Sequence, residues 1–306
     1  MKKFIFSIWL SPHSLLILAT LMWAGHANVL KVSIDELSPM LLMGLRWVGC
    51  LLLLCFFLWS DVIEYIPSVK KRLTWVAMMG GIGMAGFTIC LVVAAHSTSA
   101  INLGITQSFI PALVMIVGFV ILGTSISKVQ GFGLVLSLFG ALILVSKGST
   151  QAIVNLKFNS GDIIMLIGCF CYAGYTLGLT KRIEMPPTVM FVFFSFFASL
   201  TLSICIFIEF LAGDLILPGL RGAAIVLYCI IFPSILAQTF FMRGVELIGA
   251  NRAGLYVNLV PVFTALLAVI FLSEQLFIFH VISLILVLSG IFITEKFKEK
   301  SEKKLS

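Results

Sequence analysis

Apolar residues follow one another in long runs along this chain, broken by charge, Gly and Pro. The runs fall near 14–31, 37–60, 73–95, 99–123, 128–147, 160–180, 187–212, 219–242, 249–272 and 277–295. A helix that crosses a bilayer needs about 20 predominantly apolar residues, and each run supplies roughly that length. The gaps between them are too short to hold a separate soluble domain. The pattern therefore predicts an all-α membrane protein of ten transmembrane helices. Composition agrees. Of 306 residues, 60% are hydrophobic and 11% charged, whereas an ordinary globular domain is about one-quarter charged. A soluble protein of this size could not cover such a core.

The charged residues set the sidedness. With an even number of spans both termini share one face, and cytoplasmic segments carry the excess of basic residues. One face collects Lys2, Lys3, Lys70, Lys71, Arg72, Lys128, Lys181, Arg182, Arg243, Arg252, Lys296, Lys298, Lys300, Lys303 and Lys304. The other has only Lys31, Lys147, Lys157 and Arg221, while Arg46 lies within a span. Adding or removing one helix would scramble this asymmetry, so a multi-pass inner-membrane protein with both termini cytoplasmic is expected. The net charge of +7 is thus topological, and no nucleic-acid partner is expected. Met1-Lys2-Lys3 before an apolar stretch imitates a secretory signal, with Ala24-Gly25-His26-Ala27 as a cleavage site. Cleavage there would strand the Lys-rich tail outside, so the first run is read as helix one. All seven cysteines fall inside apolar runs, and Cys169-Phe170-Cys171 lacks the CxxC spacing of redox or zinc sites. They are read as small lipid- or core-facing residues.

Sliding the sequence along itself by about 150 residues superimposes its halves. Trp23-Ala24-Gly25-His26 falls on Tyr172-Ala173-Gly174-Tyr175, the segment from Ala100 to Pro111 on that from Ala250 to Pro261, and Gly140 on Gly290. In helix four Gly104, Ser108 and Pro111 are spaced i, i+4, i+7, and in helix nine Gly254, Asn258 and Pro261 repeat that stripe of small, polar and helix-bending residues. Close helix packing and cavity lining are both open readings of such a stripe. Five spans per half turn the second half upside down relative to the first. In transporters with inverted repeats the site lies near the midplane between halves, one of which rocks against the other.

With these elements in order, the sequence resembles the drug/metabolite transporter superfamily, and within it the EamA-type members, over nearly the whole chain. The likeness is carried by Trp23-Ala24-Gly25, Leu45-Arg46-Trp47 after Ser38-Pro39, Asn102-Leu103-Gly104 through Pro111, Tyr172-Ala173-Gly174, Pro261, Ser273-Glu274 and Gly290. The resemblance implies transport of small metabolites, often export of amino acids or related compounds, through a central cavity that opens alternately to each side. It implies an EamA-like five-helix repeat at 1–147, a second at 148–296 and a Lys-rich cytoplasmic tail at 297–306. One departure stands out. The family commonly carries a Glu at the end of helix four as well as helix nine, but Thr124 occupies the position matching Glu274.

Polar side chains deep in hydrocarbon are costly and so become the functional candidates. Trp23 and His26 are i, i+3 on helix one, and Tyr172 and Tyr175 form the matching pair on helix six. The aromatics could stack on a flat or apolar substrate while the hydroxyls orient it. His26 could bind a substrate carboxylate or exchange a proton, but a neutral histidine bonded to a neighbouring helix is favoured over either role. Asn102, Gln107 and Ser108 on helix four, Gln238 on helix eight, and Tyr256 and Asn258 on helix nine add neutral donors and acceptors. Each of these could instead bridge helices. For Arg46, snorkelling to the outer interface or pairing with a helix C-terminus is favoured over anchoring an anionic group. All thirteen acids lie in loops or near span ends, which weakens a conventional proton- or sodium-coupled pump.

An intramembrane enzyme is disfavoured, because the histidines His13, His26, His96 and His280 are scattered and no HExxH or Walker motif appears. A lipid-handling or structural membrane protein is the remaining rival from another class, and the inverted repeat argues against a static scaffold. The expected partners are a small-molecule substrate and the lipid bilayer, with homodimerisation open and neither cofactor nor metal. A neutral, aromatic candidate set suits an uncharged, zwitterionic or aromatic metabolite better than a polyphosphate. Amino acids come first on this reading, and nucleosides or S-adenosyl compounds second. Cysteines introduced at 31–37 or 147–159 should react with a membrane-impermeant maleimide from outside intact cells, and those at 61–72 or after 296 should not. Outside labelling of the Lys-rich tail would end the ten-span topology.

Overall fold

The computed structural model describes residues 11–33, 36–155, 157, 159–271 and 275–302. Among them are ten helices long and apolar enough to cross a membrane, and no strand. We number them α1 (Pro12–Leu30), α2 (Pro39–Lys70), α3 (Leu73–Ala95), α4 (Ala100–Leu122) and α5 (Lys128–Val145) in the first half. The second half contains α6 (Ser160–Lys181), α7 (Pro187–Ala212), α8 (Leu220–Ile248), α9 (Ala250–Phe271) and α10 (Ile278–Lys296). Local chemistry marks the ends. Pro12, Pro39 and Pro187 stand in the first turns of α1, α2 and α7, where a missing N–H breaks no helical bond. Capping boxes of Ser127 with Gln130 and Asn159 with Asp162 open α5 and α6. Large apolar side chains such as Phe56, Val120, Phe207 and Ile285 are exposed around the outside, an arrangement that suits lipid contact.

Two helices outrun their apolar windows. α2 bends at Leu58, which has non-helical φ −118° and ψ 21°, and continues through Asp61, Glu64 and Pro67 to Lys70. Thirty-two residues at about 1.5 Å each exceed a hydrocarbon core of about 30 Å, so the polar end projects beyond it on the basic face. α8 likewise continues past 242 through Arg243 and Glu246. Hydropathy marks where a helix leaves the membrane, and backbone hydrogen bonding carries it further.

The packing follows the repeat. α1 lies against α8 and α9 of the other half, and its counterpart α6 lies against α3 and α4. α2 pairs with its mate α7, and α5 with α10. The last pair meets almost backbone to backbone, since a Cβ on Gly290 would lie 2.4 Å from the Gly133 carbonyl oxygen. Each half thus contributes one helix to the other's bundle.

The irregular backbone is also repeated. α3 contains a π-helical stretch at Met78–Gly86 and α8 one at Ile230–Leu236, positions that coincide under the shift of about 150 residues. α4 is interrupted at Phe109, just before Pro111, and α9 tightens to a 3₁₀ turn at Tyr256–Asn258, just before Pro261. Proline cannot donate to the preceding turn, so both breaks follow from sequence.

Gly80 in α3 touches α7 so closely that a Cβ there would sit 2.3 Å from the Phe194 carbonyl oxygen, whereas Gly174 has nothing within 4 Å of its added Cβ. Gly80→Ala should therefore lower unfolding stability in detergent by about 1–3 kcal/mol. Gly174→Ala should be neutral or slightly stabilising through helix propensity. Thermal unfolding of the two purified variants checks this, and equal stability would contradict the backbone contact.

Candidate functional site

Where α1 and α6 cross between the halves, their aromatic residues meet. The Trp23 ring stands edge-on to Tyr172 with centroids 6.1 Å apart, and Tyr172 lies 5.7 Å from Tyr175. Phe241 of α8 contacts both Trp23, at 5.2 Å, and Tyr172, at 6.0 Å. Phe87 of α3 approaches Tyr172 at 5.1 Å, and Phe194 of α7 approaches Tyr175 at 6.1 Å. Five helices from both halves therefore supply one aromatic cluster. Its geometry is the offset and edge-on kind that aromatic quadrupoles favour.

The polar groups within the cluster are unevenly satisfied. Tyr175 Oη donates to Gln238 Oε1 over a long 3.4 Å, while the buried Tyr172 hydroxyl has no hydrogen-bond partner among the described residues. Trp23 Nε1 donates to the Pro233 carbonyl at 3.0 Å. That acceptor belongs to the π-helical stretch of α8, where Pro233 supplies no N–H to the turn before it. The Ser234 hydroxyl bonds the Cys229 carbonyl at 2.7 Å, and Cys50 Sγ–H reaches the Ile230 carbonyl at 3.5 Å. Side chains thus meet carbonyls around the bulge, as a backbone in hydrocarbon requires.

Three residues along α1 from Trp23, His26 Nε2 lies 3.4 Å from Arg46 Nη1. Arg46 is only 7% exposed, so its guanidinium is held inside the protein and does not snorkel. It also lies over the Trp47 ring, 4.7 Å from the centroid, and Trp47 packs on Phe191 at 5.7 Å. The reason is helix phase. Arg46 shares the buried face of α2 with Leu42, Met43, Trp47 and Cys50, and that face looks into the bundle. α1 itself changes along its length. Leu15, Leu16, Ala19 and Thr20 are fully buried, whereas residues 25–30 are all partly accessible.

The other residues expected from sequence lie elsewhere. Asn102 sits at the face opposite the C-terminal end, where Nδ2 donates to Asp162 Oδ2 at 2.9 Å and to the Lys157 carbonyl at 3.2 Å. Ser108 bonds back to the Gly104 carbonyl at 2.8 Å, and Gln107 beside it is partly buried. Tyr256 Oη meets His13 Nδ1 at 2.5 Å, and Asn258 Nδ2 donates to Ser137 Oγ of α5 at 3.0 Å. The Ser108 bond stays within α4, and the ties of Asn102, Tyr256 and Asn258 bridge helices. Gly104 faces Val145 of α5 and Gly254 faces Val114 of α4, so both glycines are packing positions. Ser273 and Glu274 lie outside the described residues. Sequence reasoning missed Phe241, although Gln238 and Phe241 show the same i, i+3 spacing as Trp23 and His26. Among the described residues no three His, Cys, Asp or Glu side chains converge to hold a metal ion.

Both ends of the bundle are tied by charge. On the basic face Glu246 bridges Arg182 and Arg243, each at 2.5 Å, Arg252 pairs with Glu295, and Arg72 donates to the Lys181 carbonyl at 2.6 Å. On the far face Arg221 pairs with Glu36 at 3.1 Å, and Glu209 accepts from the Met40 and Leu41 N–H groups that begin α2. An acidic side chain there also complements the positive end of the helix dipole.

A ten-helix membrane protein with two related halves and an aromatic cluster between them has the architecture of a two-repeat membrane transporter. The EamA-like transporter family matches residues 10–146 and again 159–295, and the chain belongs to that family. An uncharacterized transporter of Bacillus subtilis, YyaM, is 25% identical over 86% of this chain and 87% of its own. An uncharacterized transporter of Archaeoglobus fulgidus is 26% identical over 92% and 96%. The uncharacterized inner membrane transporter YedA of Escherichia coli K12 is 25% identical over 81% and 78%. A crystal structure with 17% identity shares the fold, with a TM-score of 0.78 over 94% of this chain and 97% of that one.

Proposed function

We propose that this chain is a secondary transporter, independent of ATP, that carries an amino acid or related zwitterionic or aromatic metabolite across the inner membrane by alternating access. The observation that carries the reading is the aromatic cluster of Trp23, Tyr172 and Phe241, drawn from both halves, with the Tyr172 hydroxyl unpartnered inside it. Rings in that arrangement can stack on a flat or branched apolar body, and a free hydroxyl can orient its polar end. Basic residues concentrated on one face support cytoplasmic termini. The candidate repeats are 1–147 and 148–296, followed by the tail at 297–306. Nucleosides and S-adenosyl compounds form the second substrate class, because a purine ring could use the same stacking surface.

Every described acid with an ion pair is engaged at one end of the bundle. Exchange or facilitated movement therefore fits better than coupling through a carboxylate, and His26 is the imidazole placed deep enough to carry a proton. Counterflow in proteoliposomes across amino acids, nucleosides and S-adenosyl compounds tests the function. We expect substrate on the far side to accelerate entry and a pH gradient to leave it unchanged. Tyr175→Ala and Gln238→Ala should each raise the half-saturating concentration about tenfold, the effect of losing about 1.4 kcal/mol of binding. A protein that accumulates none of these cargoes would overturn the reading. Gradient-driven movement abolished by His26→Ala would replace exchange with proton coupling.

A further inference from the structure

We infer that Arg46, flanked by His26, is the seat of a carboxylate on the transported molecule. The inference rests on the transport reading above and names the group the site recognises. Arg46 begins about 10 Å along α2 from Pro39 at 1.5 Å per residue, well inside a span, and is 7% exposed. Its polar contact among the described residues is His26 Nε2 at 3.4 Å, and its Nε has no hydrogen-bond partner. The described ion pairs engage Glu36, Glu246 and Glu295 with other arginines. Stacking over Trp47 eases the burial of the charge but supplies no acceptor.

A guanidinium cannot shed its proton to escape burial. An uncompensated cation inside a membrane protein is costly, so its position calls for an anion. The contact at Nη1 leaves the Nε and Nη2 edge, along which a guanidinium grips a carboxylate through two parallel N–H···O bonds. One arginine suits a monocarboxylate, whereas a phosphate ester would call for more cations. Beside Arg46, residues 25–30 of α1, His26 among them, are partly accessible, and a cargo carboxylate would reach the guanidinium as the halves move apart. His26 lies about 4.5 Å along α1 from Trp23. A carboxylate held at Arg46 can therefore leave its apolar body on the Trp23, Tyr172 and Phe241 rings.

Thermal unfolding of the purified full-length protein tests this with three probes, 3-phenylpropionate, its uncharged analogue 3-phenylpropan-1-ol, and hexanoate. We expect millimolar 3-phenylpropionate to raise the unfolding temperature and the alcohol to leave it unchanged. Arg46→Gln should weaken the response to the acid at least about tenfold, and Arg46→Lys should retain part of it. If Arg46→Gln does not fold, the acid-against-alcohol comparison in wild type decides. Equal stabilisation by acid and alcohol overturns the carboxylate seat while leaving an aromatic cargo standing. Stabilisation by hexanoate alone, lost in Arg46→Gln, upholds the seat and removes the aromatic cargo. The inference falls if chloride reproduces the effect, if Arg46→Gln responds like wild type, or if neither carboxylate stabilises the protein.

Discussion

A backbone in hydrocarbon has no water to fall back on, so each peptide group must find a partner within the protein. Regular helix meets that demand by itself, and most of this chain is regular helix. The exceptions are therefore informative. Pro233 sits in the π-helical stretch of α8, and Ser234, Cys50 and Trp23 all bond to carbonyls there. Trp23 is thereby fixed in the place where it can meet Tyr172 and Phe241. The departure from helical geometry and the candidate site are one arrangement, in keeping with the frequent occurrence of π-bulges at functional sites.

The exchange of helices between halves gives this arrangement a mechanical setting. Because α1 packs on α8 and α9 while α6 packs on α3 and α4, the Trp23–Tyr172 contact joins two bundles of mixed parentage. Ties at the two ends differ in kind. The basic face is tied by Glu246 between two arginines and by Arg252 with Glu295, and the far face by Arg221 with Glu36 and by Glu209 with the first N–H groups of α2. Toward the far face α1 becomes partly accessible along residues 25–30. Both ends of the bundle therefore carry ties that a transport cycle would have to break in turn.

Much of this was legible in the sequence. Apolar runs located the ten helices, and a repeat of about 150 residues related the halves, because both signals come directly from burial in lipid and from common local geometry. Pro111 and Pro261 announced the breaks in α4 and α9. The candidate site was legible only in part. Trp23, Tyr172, Tyr175 and Gln238 converge, but Asn102, Tyr256 and Asn258 bridge helices away from the cluster. A polar residue deep in a span signals that it needs a partner, and it does not say whether that partner is another helix or a cargo. Arg46 shows the converse. Its reach allowed snorkelling, and only the phase of α2 against its neighbours decided that it points inward. The π-helical stretches had no clear sequence signal beyond Pro233, since Met78–Gly86 contains no proline.

The central claim is that the two ends open in turn around the aromatic crossing. Paired cysteines can test it in a background whose seven native cysteines are replaced. Arg182→Cys with Glu246→Cys would lock the basic face, and Glu36→Cys with Arg221→Cys the far face, when bridged by a short bismaleimide with a reducible linker that spans the length of an Arg–Glu pair. Counterflow should stop on cross-linking of either pair and return on reduction, because a full cycle needs both ends. Exchange continuing at the unlocked rate with either cross-link formed would contradict alternating access.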